Sequence, residues 1–215
     1  GYSYHYNSIG GAIINNTIAS NSYSIRFNFE SAGNIMYALS KATNIRKNND
    51  GEYAILGIPY AQYVKGEFDF SKNIRIDHRN SFAFHIGMGI AVPYGNAKTI
   101  PFEKQYFSGG ANSVRGWTVR DLGPGSFVRD ENTNLLDQSG DIKLDASIEY
   151  RSKLFWKFQG AIFVDAGNIW TIRDYDNQPG GVFKFDKFYK QIAVAYGLGL
   201  RLDLDFLSLI HISEP

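Results

Sequence analysis

From Gln191 to Phe206 the sequence alternates without a break. Ile192, Val194, Tyr196, Leu198, Leu200, Leu202, Leu204 and Phe206 share one parity, and Gln191, Ala193, Ala195, Gly197, Gly199, Arg201, Asp203 and Asp205 share the other. Successive side chains of a β-strand face opposite sides, so such a run has one apolar face and one small or charged face. It exceeds an ordinary globular strand in length and matches a strand tilted across a bilayer.

The same pattern recurs upstream. Tyr23, Ile25, Phe27 and Phe29 interleave with Ser24, Arg26, Asn28 and Glu30, and Val64, Phe68 and Phe70 with Lys65, Glu67 and Asp69. Phe82, Phe84, Ile86, Met88, Ile90 and Val92 oppose a face of His85 and small residues. Ile142, Leu144, Ile148 and Tyr150 oppose Asp141, Lys143, Asp145, Ser147 and Glu149, and Phe158, Ile162 and Val164 oppose Gln159, Phe163 and Asp165. The composition agrees, with 14 Tyr, 16 Phe and 22 Gly beside only 2 Met, a balance of strands and tight turns. The fold class is all-β.

Alternation alone does not separate a soluble sandwich, whose apolar face meets a second sheet, from a membrane barrel, whose apolar face meets lipid. Connection lengths decide. The links near 75–80 and 152–156 are short, whereas those near 33–57, 93–140 and 171–188 are long. On an up-and-down meander these two classes fall on opposite rims, as in outer-membrane barrels. The link near 8–21 is intermediate, and Ala32 to Ala42 has room for a helical turn. About seven strands fit, fewer than the eight of the smallest membrane barrels, so residues 1–206 read as part of a larger antiparallel transmembrane barrel. The tail 207–215 breaks the alternation and is set apart as a non-native, adapter-derived segment, the alternative being an ordinary terminal turn.

Charge and residue usage remove several functions. With 22 Lys+Arg against 21 Asp+Glu there is no broad field for gathering nucleic acid. Zero cysteines exclude thiol chemistry and thiolate metal sites, and the 4 His show no metal-ligand spacing. Gly87-x-Gly89 and Gly197-x-Gly199 lack the third Gly of a dinucleotide loop and sit inside strand patterns, and there is no nucleophile elbow or P-loop. The expectation is a protein with no catalytic residues, no metal and no cofactor.

The segment 94–140 is too long for a hairpin, and its stretch from Pro101 to Gly125 is too rich in turn residues for a linker. Within it Val114-Arg115-Gly116-Trp117 sets a forked cation beside a flexible Gly and a large aromatic, suited to docking on a carboxylate-bearing wall. The bland alternative for Arg115 is a solvated surface cation. By parity Glu149 and Asp165 share one polar face on consecutive strands, where two carboxylates in a confined lumen need a cation between them. A cation there also argues against the pair as a glycosidase acid and base. Small residues on the lumen face, Gly87, Gly89, Ala195 and Gly197 among them, leave room for an inward-folded loop or serve strand twist.

This loop, with the strands after it, resembles the C-terminal barrel of the BamA/TamA superfamily of outer-membrane proteins. The resemblance rests on three motifs in order: Val114 to Trp117 with Gly109-Gly110 ahead of it, the Glu149-Tyr150-Arg151 strand end, and Phe163-x-Asp165-x-Gly167. It implies a barrel of about sixteen strands, with Val114, Arg115, Gly116 and Trp117 as a loop latch. Glu149, Phe163, Asp165 and Gly167 become its lumen-wall partners. Trp117 stands where Phe or Tyr is commoner. The resemblance further implies residence in the bacterial outer membrane and upstream periplasmic domains beyond this sequence. Its implied function is assembly and insertion of nascent outer-membrane β-barrel proteins, with outer-membrane lipid and accessory assembly proteins as partners and nucleic acid excluded. The alternatives are a two-partner-secretion-type exporter of polypeptides and a passive porin, in which Lys65, Glu67, Asp69 and Arg201 would tune ion selectivity.

Overall fold

The computed structural model describes residues 2–10, 21–48, 51–128, 137–204 and 207–213. Eight antiparallel strands form one meandering sheet: β1 (Tyr2–Gly10), β2 (Asn21–Ala32), β5 (Tyr63–Arg75), β6 (Asn80–Pro93), β7 (Ile142–Lys153), β8 (Phe158–Trp170), β9 (Ala193–Leu204) and β10 (Leu207–Ser213). The short strands β3 (Ala54–Ile55) and β4 (Ile58–Pro59) make a separate hairpin in the first long loop. The seven strands expected over residues 1–206 are therefore β1, β2 and β5 to β9. The eighth, β10, lies in the segment set apart as a tail, and its backbone pairs with β9 from Leu207 opposite Leu204 to Ser213 opposite Leu198. The sheet is open, with β1 and β10 at its edges.

Register carries one apolar face across the whole sheet. Tyr4 lies opposite Phe27, Phe27 opposite Phe68, Phe68 opposite Met88, and Met88 opposite Leu144. Further along, Ile148 pairs with Val164, and Val164 with Tyr196. A one-residue slip at any pair would throw every apolar side chain of that strand to the other side, so the alternation fixes the register. A soluble sandwich would cover this face with a second sheet. Instead Tyr196 is 69% exposed, Leu198 63% and Ile162 56%, as a wall facing lipid requires. No helix among the described residues is long and apolar enough to cross a membrane.

The links 76–79 and 154–157 lie on one rim, and 33–62, 94–141 and 171–192 on the other. The intermediate link falls at 11–20, outside the described residues. The helical turn expected after Ala32 is α1 (Asn34–Ala42), entered through Gly33 at φ 82°, where a side chain would also press on Gln62 Cα at 2.8 Å. Thr43 closes the helix by donating from N and Oγ1 to the Leu39 carbonyl at 2.9 and 2.7 Å.

What core there is lies on the inner face, where the second long loop folds back onto the wall. Tyr106 and Gly140 exchange both backbone hydrogen bonds at 2.8 Å, and Ala91 N donates to Asp141 O at 2.8 Å, tying the loop's arms to each other and to β6. Tyr106 packs with Tyr63, Ala91, Ile100 and Ile169. It occupies the space left by Gly89, whose missing Cβ would sit 2.6 Å from the Tyr106 hydroxyl. Small residues on the lumen face thus do admit the loop at this point.

Candidate functional site

The far end of the same loop is a compact knot. Ser108 bridges to Leu122, Gly110 N donates to Trp117 O at 2.7 Å, and Arg120 N donates to Ser108 O at 3.0 Å. Gly109 and Gly110 hold φ of 96° and 83°, the left-handed region that lets the chain reverse so tightly. The knot seats by burying Val114 completely against Leu122 and Ala195, with Trp117 half-buried alongside. Gly116 lies against β9, where a Cβ would come 2.7 Å from Ala195 Cβ.

Seated in this way, Arg115 reaches the inner wall. Its Nε and Nη2 donate to the two oxygens of Asp165 at 2.7 and 2.8 Å, and its Nη1 donates to Glu149 Oε2 at 2.6 Å. The Arg115 backbone N–H adds a bond to Asp165 Oδ2 at 3.1 Å. The guanidinium lies over the Phe163 ring, with Cζ 3.5 Å from its centre. Only a planar fork satisfies two carboxylates and stacks on an aromatic at once; a lysine ammonium does not. The side chains of Arg115, Glu149 and Asp165 are 10%, 6% and 0% exposed, so all three charges are withdrawn from water. Burial pulls the Arg115 pKa down, but its bonds to Asp165 and Glu149 outweigh that and hold it above the ordinary value.

Of the eight residues singled out in the sequence, the structure brings seven together around this point. Gly167 stands apart: it contacts the neighbouring strand, where a Cβ would lie 2.7 Å from the Leu144 carbonyl, and its place is close approach of β7 and β8. Phe163 owes its room to Gly197, its register partner, whose Cβ would lie 2.6 Å from the ring. Two further participants were not paired in advance. Arg151 Nε donates to Glu149 Oε1 at 2.7 Å, and Arg201 Nη2 lies 2.6 Å from the same oxygen. Parity placed Arg201 on the lumen face; nothing local aimed it at Glu149.

Beside this cluster on the same wall, His85 stands between Asp69 and Asp145 at 3.5 and 3.4 Å, and Lys143 pairs with Asp145 at 2.9 Å. Nearer the long-loop rim the loop is held a second time. Gly125 N donates to Ile169 O at 2.7 Å, and Asn168 Nδ2 donates to Gly125 O at 2.9 Å and also to Gln191 O. Among the described residues no group of three His, Cys, Asp or Glu is placed to hold a metal.

An open wall of membrane-length strands with an arginine-bearing loop folded onto its inner face defines a class: outer-membrane barrels with an inward loop. Residues 15–210 match the Omp85 superfamily domain, and the chain belongs to that superfamily. It is 35% identical over 99 residues to the outer membrane protein assembly factor BamA of Neisseria meningitidis serogroup B (strain ATCC BAA-335 / MC58), a stretch covering 42% of this chain and 12% of that protein. Its fold matches the solved structure of BamA from Haemophilus ducreyi lacking POTRA domains 1–3 with a TM-score of 0.51 at 17% identity, over 99% of this chain and 51% of that one. The resemblance read from the motifs is borne out, as are the all-β barrel fold and residence in the outer membrane. The chain spans about half the length of the solved BamA structure.

Proposed function

We propose that the intact protein containing this chain assembles β-barrel proteins into the bacterial outer membrane, and that Arg115, bound to Glu149 and Asp165, latches the lumenal loop during that work. The observation that carries the reading is the 35% identity to a protein named as an outer membrane protein assembly factor. The mechanism is physical, with no bond chemistry. A barrel whose first and last strands pair weakly offers unpaired N–H and C=O groups to an incoming strand, and local thinning of the bilayer lowers the barrier to its insertion. Nascent outer-membrane proteins are the clients, and accessory assembly proteins and lipid the further partners. The latch keeps the loop against β7 to β9, so that the inner surface is the same each time a client arrives.

A passive porin fits less well, because an open pore has no use for a loop seated by three buried charges. Export of a secreted polypeptide by a two-partner-secretion-type relative is the second reading, and the polar inner wall suits it. The test uses the intact protein in liposomes and an unfolded outer-membrane barrel as substrate. Faster appearance of the heat-modifiable, folded form than in protein-free liposomes, reduced by Arg115→Ala, supports assembly with a working latch. No acceleration, with polypeptide flux across the same liposomes, moves the function to export.

A further inference from the structure

We infer that the lumen wall carries an anion site at its short-turn mouth, and that it takes the carboxylates of an acidic polypeptide segment. The site is a concavity of ≈ 190 Å³ between the β5–β6 turn and β7, lined by Arg75, Arg79, Arg151 and Lys153. Asp77 is the one carboxylate on that lining, and the turn already uses it. Its Oδ1 accepts from Arg79 N at 2.7 Å and Asn80 N at 2.8 Å, and its Oδ2 from Asn80 Nδ2 at 2.8 Å. These bonds, that from the Asn80 side chain foremost, hold the Asp77 carboxyl below its ordinary pKa, so it stays an acceptor committed to the turn. Four cations therefore line a space whose one lining acid is engaged, Arg151 also donating from Nε to Glu149 Oε1 at 2.7 Å.

Register places this mouth inside the barrel. Arg75 pairs with Ser81, Ser81 with Arg151, and Lys153 with Gln159, all on the face that bears Glu149 and opposite the apolar one. Lipid headgroups meet the other face, which removes the membrane as the source of the anion. A second concavity of ≈ 430 Å³ shares Asn73 and Arg151 with the first and continues to Ser147, His85 and Glu149. A track whose lining includes the hydroxyls of Ser71 and Ser147 and the amide of Asn73, with Ala83 and Phe84 beside them, thus leads from the basic mouth toward the seated loop. Such a track matches the peptide groups of an extended chain, whereas a lone phosphate would need only the mouth. In outer-membrane barrels the short turns face the periplasm, the side from which clients arrive. The inference rests on the proposed function for that direction of entry and adds the chemistry that meets the client.

The experiment uses the intact protein in detergent micelles and a fluorescent peptide of about ten residues rich in Glu and Asp, beside neutral and Lys-rich peptides of equal length. Arg79 and Lys153 are both exposed, so Arg79→Glu with Lys153→Glu reverses the mouth without touching a buried contact. The acidic peptide is expected to bind at least about tenfold more tightly than the neutral one, to weaken as salt shortens the Debye length, and to lose at least about tenfold in the double variant. Equal binding of all three peptides, or an unchanged affinity in the variant, overturns the site. Full displacement by inorganic phosphate at millimolar concentration overturns the polypeptide and leaves a small-anion site. Charge-selective peptide binding without acceleration of barrel folding would overturn the proposed function and leave this site standing. Acceleration without charge preference would do the reverse.

Discussion

Two charge clusters sit side by side on the same inner wall, and they are built differently. Around Arg115 the contacts are 2.6 to 2.8 Å, directional, and made by a group that arrives from a distant loop. Around His85 they are 3.4 and 3.5 Å, and every member stands on the strands of the wall itself. Arg115, Glu149 and Asp165 have 10% or less of each side chain exposed, whereas His85 and Asp69 are 33% and 38% exposed beside an Asp145 at 4%. If His85 is lost, solvent reaches Asp69 and Lys143 still pairs with Asp145, whereas nothing replaces Arg115 between its two buried carboxylates. The first therefore decides where the loop lies; the second trims the charge of a wall that strand pairing already holds.

That contrast breaks most visibly at Arg115. Arg115→Ala leaves Glu149 and Asp165 buried without their shared cation and is expected to cost the docked state about 3 to 5 kcal/mol. Adding Asp165→Asn should return part of the loss, since a neutral amide needs no counter-charge. Unfolding midpoints of the single and double variants check this, and a double variant as damaged as the sum of the two singles would contradict direct pairing. Gly116→Val comes next. It drives a side chain into Ala195, 2.7 Å from the ideal Cβ position, and should cost about 1 to 3 kcal/mol by overpacking, read as lost protection of the Gly110 amide that donates to Trp117.

His85→Ala should cost about 1 kcal/mol or less and leave the exchange of the loop amides unchanged. If it releases the loop as Arg115→Ala does, the two clusters are one unit and the contrast fails. The smallest effect is expected at the rim, where Asp141 Oδ2 accepts from Ile172 N at 3.0 Å. Burial raises the Asp141 carboxyl above its ordinary pKa, against the pull of the Ile172 N–H and Arg173. A carboxyl that binds its proton more tightly folded than unfolded favours the fold at pH below its unfolded value of about 4, and that benefit is withdrawn as pH rises through the folded value. Asp141→Asn removes this dependence while keeping an oxygen for Ile172. Thermal midpoints from pH 4 to 8 should show a flatter profile and stability at pH 7 no lower than wild type.

The wall was legible in the sequence because a strand has a period of two, and parity alone put Arg26, Glu67, Asp145, Glu149 and Asp165 on one side. The same rule placed Glu149 and Asp165 within reach of one cation. A loop residue has no parity, so Arg115 was singled out by its forked cation beside Gly116 and Trp117 and by the order of the motifs. Arg151 lies two residues from Glu149 on the same face of β7, a pair that parity allows, but Arg201 reaches the same Glu149 oxygen from β9, and that depends on the stagger of three strands, which no single strand encodes. The rim contacts of Asn168 were not legible at all: its outward parity marks it for lipid, yet β8 outruns β9 there and loop carbonyls take its place beside the strand. Gly167 was drawn in by its motif, although its work is a close strand contact.

The most direct test of the account is amide hydrogen exchange at residues 112–120 in the intact, membrane-embedded protein, wild type against Arg115→Ala. A loop seated by Arg115 exchanges slowly in the wild type and much faster in the variant, while the amides of β7 and β8 stay protected in both. Equal exchange of 112–120 in the two proteins would contradict the latch.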